Sequence, residues 1–229
     1  MITSRDNERL KLVRKLRDRR WRDKLGLFVV EGEDLVEAAG TEPVELLVAG
    51  ENVEPALLAE VSGLAHPPRA IAVYRRDDLP HGTRPATLAL WRVADPGIVG
   101  TLLRAADAFG AGVALSEGCA DPTAPKALRA SMGSIFRVPL SGFAEPEGRR
   151  IALVARGGEP LTSVDLAGDV VFVLGAEREG LPEEIVARCD VAATIPLAGG
   201  AESLNVAMAG TVALYERARR ATQSLPASR

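Results

Sequence analysis

The sequence has only two cysteines and two histidines among its 229 residues, which restricts the chemistry it can perform. Cys119 and Cys189 lie far apart and lack the spacing of metal ligands, and His66 and His81 do not support a histidine-centred metal site. So few thiols, in no disulfide-like pattern, are typical of a protein from a reducing compartment. We therefore expect a cytoplasmic protein.

Long hydrophobic segments are also lacking. No run of 18 apolar residues occurs, so neither a transmembrane helix nor a membrane partner is predicted. The chain begins MITSRDNERLKLVRKL, with charges where a signal peptide needs an apolar stretch. Hydrophobic residues nevertheless make up 47% of the chain, enough to build a core and to argue against disorder. The length is compatible with one or two domains.

The net charge of −3 does not by itself favour a nucleic-acid partner, but its distribution does. Residues 1–24 hold ten basic and four acidic residues, so this segment carries +6 and the remaining chain −9. A solvated surface helix would also explain a charge run. The excess of arginine favours RNA, because guanidinium groups pair with phosphates and stack on bases. The predicted RNA-binding residues of this segment are Arg17, Arg19, Arg20 and Arg22.

The order of predicted elements indicates two α/β parts. A helix over residues 7–24 and three short strands form a small unit, followed by a segment rich in proline, glycine and charge. From Thr87 onward, strands rich in Val, Ile and Leu alternate with helices, which predicts a parallel sheet covered on both faces. IFRVPL is among these predicted strands, and the last helix is expected to open at Glu202 and Ser203. We predict domains at residues 1–78 and 87–229 with a linker at 79–86.

Three segments near the end of the chain carry candidate site residues. In VVFVLGAEREGL, Gly175 ends a strand, Gly180 permits a tight turn, and Glu177 lies at the strand's carboxyl edge. In ATIPLAGG, a strand end followed by two glycines offers main-chain groups to a flat heterocycle. In AESLNVAMA, Ser203 and Asn205 lie at a helix start. Each segment alone is explained by an ordinary turn or helix cap.

In this order, the three segments resemble the second and third motifs of the SpoU (TrmH) class of RNA ribose 2′-O-methyltransferases. Upstream, ADPGIVGTLLRAADAFGA resembles the first motif, D-P-x-N-x-G-x-x-x-R-T-A. The resemblance implies S-adenosylmethionine as cofactor and no metal. The residues it marks as catalytic are Arg104, Glu177, Ser203 and Asn205, and those it marks as cofactor-binding are Gly175, Ile195 and Leu204. Because a guanidinium keeps its proton, Arg104 is better suited to orienting the 2′-hydroxyl and stabilising an alkoxide than to acting as a base.

The resemblance also implies a fold and partners. The catalytic domain would contain a deep trefoil knot and form a homodimer with each active site built across two subunits. The N-terminal part, with its ITSRDNERLK start and LFVVEG strand, resembles a ribosomal-protein-like RNA-binding domain. In the middle segment, Lys126 and Arg129 could face RNA, although a solvated helix explains them equally well. Ribosomal RNA is the first choice of substrate and transfer RNA the second.

One position departs from the family's pattern. Ile98 stands where the first motif has asparagine, so an amide that could bond to Arg104 or Glu177 is replaced by a hydrocarbon. Losing one partner of a buried polar pair costs about 1–3 kcal/mol. This leaves two alternatives open: a catalytically weakened RNA-binding relative, and an unrelated doubly wound nucleotide-binding protein.

Overall fold

The computed structural model describes residues 1–223, and its first part is built on a small antiparallel sheet. The strands are β1 (Leu27–Glu31), β2 (Glu45–Val48) and β3 (Ala70–Arg75), with β3 in the middle. The accompanying helices are α1 (Glu8–Lys15), α2 (Arg19–Leu25), α3 (Glu33–Ala38) and α4 (Pro55–Val61). Val29 pairs with Val73 across the sheet, and both belong to the apolar cluster that joins the sheet to α1 and α4. We call residues 8–75 the small unit.

The second part, residues 86–223, is a seven-stranded sheet in which all neighbouring strands are parallel, and we call it the large unit. Its strands are β4 (Ala86–Leu90), β5 (Gly112–Leu115), β6 (Leu140–Gly142), β7 (Arg149–Leu153), β8 (Glu159–Pro160), β9 (Val170–Leu174) and β10 (Val191–Thr194). Their order is β6-β5-β4-β9-β7-β10-β8. The helices are α5 (Pro96–Ala108), α6 (Pro125–Ser131), α7 (Glu183–Val186) and α8 (Val206–Gln223).

This arrangement confirms the predicted α/β class with a parallel sheet. Every residue of the central strands β4 and β9 is buried, as expected for strands covered on both faces. The trefoil knot stays a prediction. Residues 224–229, which end the predicted second domain, lie outside the described part of the chain.

The two units are joined by a common hydrophobic core. Phe28 and Tyr74 of the small unit pack on Phe136 of the large unit, with ring centroids 6.1 and 5.4 Å apart. The predicted linker is also tied down, since the N–H of Leu140 donates to the carbonyl of Pro80 at 2.9 Å. The domain boundaries stay a prediction, but the connection between the units is not a free tether.

A buried network of ionic hydrogen bonds lies at the same junction, which we call the Asp121 network. Arg22 Nε and Arg76 Nη2 each donate to Asp121 Oδ2 at 2.8 Å. The N–H and hydroxyl of Thr123 donate to Asp121 Oδ1 at 2.8 and 2.6 Å. Burial raises the pKa of Asp121, but the hydrogen bonds from Thr123 and Arg22 and the charge of Arg76 outweigh burial and lower it below its usual range. Asp121 therefore stays ionised.

Three predicted elements differ in the structure. The helix over residues 7–24 is wrong: α1 ends at Lys15, and the Asp18 side chain accepts from the N–H of Arg20 to start α2. The strand IFRVPL is also wrong, because Ser134–Phe136 form a 3₁₀ turn and β6 begins only at Leu140. The last helix begins at Val206, four residues later than expected.

Candidate active site at the carboxyl ends of the strands

A cleft of about 300 Å³, which we call the first cleft, opens beyond β7, β9 and β10. Ligands of parallel α/β sheets occupy this edge. The cleft brings together five residues that the sequence marks as catalytic or cofactor-binding: Gly175, Glu177, Ile195, Ser203 and Leu204. The remaining walls are mostly apolar, formed by residues including Leu153, Leu174, Ala193 and Val206. Residues of the second and third motifs therefore converge on one concave site.

The turn after β9 requires glycine at two positions. The N–H of Gly180 donates to the carbonyl of Ala176 at 2.9 Å, and Gly180 has a φ of +68°, which side-chain-bearing residues rarely adopt. A Cβ placed on Gly175 would lie 2.2 Å from the carbonyl carbon of Gly180. The two ends of the turn touch backbone to backbone, so the main chain itself forms the wall of the first cleft.

Glu177 links this turn to the start of α5. Its Oε1 accepts from the N–H of Asp95 at 3.2 Å. The Asp95 side chain accepts from the N–H groups of Gly97 and Ile98, which caps α5, and pairs with Lys126 Nζ at 2.8 Å. The hydrogen bond from Lys126, together with those from the helix start, holds the pKa of Asp95 below its ordinary value. The first and second motifs are thus joined by a main-chain donor.

Ile98 lies between this junction and a wide second cleft formed by α5, α6 and the start of α8. Its side chain is partly buried and packs on the hydrophobic core, while its N–H donates to Asp95. The expected partner of a motif asparagine, Glu177, is held instead by the Asp95 main chain. The substitution therefore leaves the Glu177 contact to the α5 start intact.

Asn205 and Ser203, both predicted at the start of the last helix, have different positions in the structure. Asn205 Oδ1 accepts from the N–H of Ala207 at 2.9 Å, so Asn205 rather than Ser203 caps α8. Asn205 lines the second cleft, whereas Ser203 is exposed and lines the first. The two residues are thus close in sequence but line different clefts.

Arg104 is not brought to the other predicted catalytic residues. It is exposed on α5 and lines neither cleft, and among residues 1–223 it forms no hydrogen bond or ion pair. Helix α8, which packs against α5, has an exposed apolar face. Met208, Val212 and Tyr215 follow helical spacing there and expose 61%, 37% and 55% of their surface.

The predicted RNA-binding residues fall into two groups. Arg17, Arg19 and Arg20 are exposed on the small unit, as is Arg129 on α6. Arg22 differs, because it is only 4% exposed and its guanidinium is engaged by Asp121 and by the carbonyls of residues 16 and 17. Arg22 is therefore a structural residue in this fold, contrary to the expectation.

Two arginines outside the predicted set, Arg92 and Arg178, line a shallow opening together with Glu177. Arg92 follows β4 with a φ of +53°, a conformation that costs energy for a residue other than glycine and often occurs at functional sites. In the sequence, its signal is its position two residues beyond the end of the buried strand β4. No helix in residues 1–223 has the length and apolarity to cross a membrane, and this part of the chain contains no cluster of three metal-ligating side chains.

Comparison with known proteins matches both parts of the chain. Residues 85–215 match the SpoU rRNA Methylase family, and residues 7–74 match the MRM3-like substrate binding domain. The chain is 31% identical to the 23S rRNA (guanosine(2553)-2′-O)-methyltransferase RlmP of Bacillus subtilis over 93% of this chain and 97% of the relative.

Two solved structures are similar over nearly their whole length. The SpoU methyltransferase AviRb of Streptomyces viridochromogenes in complex with AdoMet superposes with a TM-score of 0.83 at 27% identity, covering 96% of this chain and 100% of that one. An AdoMet-bound rRNA methyltransferase of Sinorhizobium meliloti also gives a TM-score of 0.83, at 28% identity and 98% coverage of both chains.

Proposed function

The chain belongs to the SpoU rRNA methylase family, and from this premise we propose that it methylates a ribose 2′-hydroxyl of RNA with S-adenosylmethionine. Ribosomal RNA is the preferred substrate, in keeping with the relatives above, and transfer RNA the second candidate. The observation that carries the proposal is the convergence of Gly175, Glu177, Ile195, Ser203 and Leu204 on the first cleft. Two free cysteines suit a cytoplasmic enzyme.

The residues of the first cleft fit the cofactor. Its volume is at the lower end of the roughly 300–1,000 Å³ typical of pockets for small molecules, and its apolar walls suit a flat heterocycle. Gly175 leaves the main chain bare where a side chain could not fit, so that Gly175, Ile195 and Leu204 would hold the cofactor largely through backbone. When bound, S-adenosylmethionine supplies a methyl group activated by its sulfonium, so the protein needs mainly to position the acceptor.

Arg104 would position that acceptor. Its guanidinium remains protonated, and it would orient the ribose hydroxyl and stabilise the negative charge that develops on its oxygen. Glu177, Ser203 and Asn205 would hold the ribose and the arginine. Since Arg104 reaches none of them within one chain, we propose that it acts in the site of a second copy. The exposed apolar residues Met208, Val212 and Tyr215 support such a dimer, because a face of this kind is normally covered.

A mixing experiment tests this arrangement. Arg104→Ala and Glu177→Gln should each be inactive, but unfolding both together and refolding them should restore about a quarter of wild-type activity, because half of the dimers are mixed and each has one intact site. Arg69→Ala, which changes an exposed arginine on the small unit, is the control and should remain active. Mixtures that stay inactive would show that Arg104 does not act across the dimer.

The reaction itself is tested with labelled S-adenosylmethionine and unmodified ribosomal and transfer RNA. Label in alkali-resistant dinucleotides would establish ribose methylation and identify the RNA class. RNA binding without label would favour the catalytically weakened relative that Ile98 suggested. The alternative of an unrelated doubly wound nucleotide-binding protein is wrong, because the chain belongs to the methylase family.

The basic segment near the N-terminus supports RNA as the partner. Three of its four predicted RNA-binding arginines remain available, since Arg22 is buried. Arg17, Arg19 and Arg20 remain exposed, and each phosphate contact contributes to the salt dependence of binding. Reversing all three to glutamate should flatten the dependence of RNA affinity on salt concentration. An unchanged slope would exclude this segment from the RNA interface.

A further inference from the structure

A separate cavity lies at the junction of the two units, away from the first cleft. It has a volume of about 200 Å³, and we call it the junction cavity. Its lining residues come from both units: Leu16, Arg17, Val29, Glu31, Gly63, Pro125 and Arg129. Its size is below the range of pockets that enclose drug-sized ligands, which makes it suitable for a single planar ring. Apolar walls with a few charged groups are the usual composition of a specific small-ligand site.

Glu31 gives this cavity an unusual polar group. The Glu31 side chain is only 8% exposed, and its Oε1 accepts from the N–H of Gly63 at 2.8 Å and from Arg17 Nη2 at 3.4 Å. Its Oε2 is buried without a hydrogen-bond partner among the described residues. A buried carboxylate oxygen left without a donor is costly, so this atom favours a ligand that brings an N–H group.

The cations around Glu31 indicate that the ligand is anionic elsewhere. Arg17 and Arg129 both line the junction cavity, and both are exposed enough to reach a phosphate. Arg129 also lines the second cleft, next to Ile98 and Asn205. One residue therefore belongs to both the junction cavity and the surroundings of the proposed active site, which places the cavity beside the path of an RNA strand bound there.

The backbone on both sides of the junction cavity is held in fixed positions. Leu16 and Arg17 come directly before α2, whose Arg22 donates to their carbonyls and to Asp121 of the large unit. Pro125 begins α6 shortly after Asp121. The Asp121 network thus connects the two sides of the cavity, and a rigid site of this kind can discriminate between ligands by hydrogen bonding.

We propose that the junction cavity binds one unstacked nucleotide of the RNA substrate, a neighbour of the methylated one, whose base carries an exocyclic amino group. Oε2 is closed to solvent, so the exposed end of the Arg17 side chain beside it shifts when the nucleotide enters. The amino group then donates to Glu31 Oε2, the base lies between Leu16, Val29 and Pro125, and the flanking phosphates pair with Arg17 and Arg129. Single-stranded RNA is read in this manner, by extruded bases and by contacts to their edges. A glutamate accepting from the cytosine amino group is an established type of base contact. The inference rests on the proposed function, since it concerns recognition of the same RNA.

Fluorescence anisotropy with two single-stranded probes, rC10 and rU10, tests the proposal. Cytosine presents an amino donor where uracil presents a carbonyl acceptor, so wild-type protein should bind rC10 about tenfold more tightly. Glu31→Gln keeps the acceptor for the Gly63 N–H but places a donor amide at the position of Oε2. This variant should therefore bind rC10 and rU10 with about equal affinity. Glu51→Gln changes an equally charged but exposed residue of the same unit and should keep the preference.

A second variant tests the cavity without removing the negative charge of Glu31. Gly63→Ala would place a Cβ 2.9 Å from Arg17 Nη2 and 3.4 Å from Glu31 Oε2, which narrows the cavity without removing a charge. It should also abolish the preference for rC10. A preference that survives in both variants, or equal affinity of wild-type protein for the two probes, overturns the proposal.

The methyl-transfer assay separates this proposal from the proposed function. Methyl transfer by wild-type protein without any preference for rC10 would overturn the junction site alone. Loss of the preference in Glu31→Gln in a protein that transfers no methyl group would support the junction site while contradicting the enzymatic activity. Failure of wild-type protein to bind either probe would overturn the junction site.

Discussion

Replacing Asp121 by asparagine should destabilise the protein and allow the small unit to unfold before the large unit. The substitution keeps the shape of the side chain and an oxygen that can accept from Thr123. At the position of Oδ2, however, it places an amide N–H₂ opposite the donors of Arg22 and Arg76, which now lie 2.8 Å away. Two donors would then face a third, and the charge of Arg22 would be buried without an opposite charge.

The expected cost is large. Removing one partner of a buried ion pair typically costs 3–5 kcal/mol, and we expect about 3 kcal/mol here because Arg76 keeps a second partner in Asp23 at 2.7 Å. Since domains are commonly stable by about 5–15 kcal/mol, the variant should still fold but unfold at clearly lower urea concentration. Adding Arg22→Met to the variant should recover part of the loss, because the unpaired charge is then removed.

Two tryptophans allow the units to be followed separately. Trp21 lies in α2 of the small unit and Trp91 follows β4 of the large unit, so single-tryptophan variants report on one unit each. In the wild type both should give the same urea midpoint, as expected for cooperative unfolding. In Asp121→Asn, Trp21 should report the earlier transition. The control is Asp165→Asn, an exposed carboxylate whose loss should change stability by less than about 0.5 kcal/mol.

A loss below about 1 kcal/mol, the value for an ordinary surface contact, would show that Arg22 and Asp121 do not form a strongly stabilising buried pair. If Trp21 and Trp91 report the same transition in a strongly destabilised variant, the Asp121 network is not what couples the unfolding of the two units. In that case the shared packing of Phe28 and Tyr74 on Phe136 would suffice to join the units.

Four further predictions concern the large unit. Gly175→Ala should abolish S-adenosylmethionine binding in calorimetry, because the added Cβ would overlap the backbone of the cleft wall. Asn205→Ala should lower the free energy of unfolding by about 1 kcal/mol in urea titrations, through loss of the α8 cap. Hydrogen bonds from Arg219 and Arg220 lower the pKa of Glu216 from 4.5 to about 2. The ionised carboxylate therefore stabilises the folded protein fully above pH 4.5, and this contribution should fade as pH falls toward 2. Glu216→Gln should remove that part of the pH dependence of the free energy of unfolding. Ile98→Asn should raise methyl transfer sharply in the labelled assay if the missing amide limits activity.

Each of these has a contrasting control. Gly199→Ala adds a Cβ that meets nothing within 4 Å and should leave cofactor binding unchanged. Asn205→Ser retains a capping oxygen and should recover most of the stability. A stability curve that keeps its acid slope in Glu216→Gln would assign that slope to other carboxylates. Unchanged activity in Ile98→Asn would show that the hydrogen bond from the Asp95 N–H to Glu177 already meets the need.

The parallel sheet and the first cleft could be predicted from the sequence because their signals are local. Buried parallel strands are continuous apolar runs, and the glycine and polar positions of each motif lie within a few residues of one strand end. The break between α1 and α2 could also have been anticipated, since Asp18 is a good helix cap in the middle of the charged segment. The roughly helical spacing of Leu10, Val13, Leu16 and Trp21, however, favours one continuous helix across this break.

Other features had no local signal. Arg22 has the same basic neighbours as Arg19 and Arg20, and only its pairing with Asp121, 99 residues away, shows that it is structural. The unpartnered oxygen of Glu31 depends on packing between a strand of the small unit and a helix of the large one. The separation of Arg104 from Glu177 likewise depends on how helices are placed on the sheet. Residue type predicts chemistry here, but only the fold shows where each side chain is used.

The short strand β8 at one edge of the large sheet has a consequence for solubility. An exposed edge normally offers a row of N–H and C=O groups on which another chain can extend the sheet, a common start of aggregation. β8 consists only of Glu159 and Pro160, so this edge carries one charge and one residue without an N–H. A sheet of seven parallel strands is thus closed against further growth at this end by two residues, and Pro160→Val should make the protein more prone to aggregate on heating.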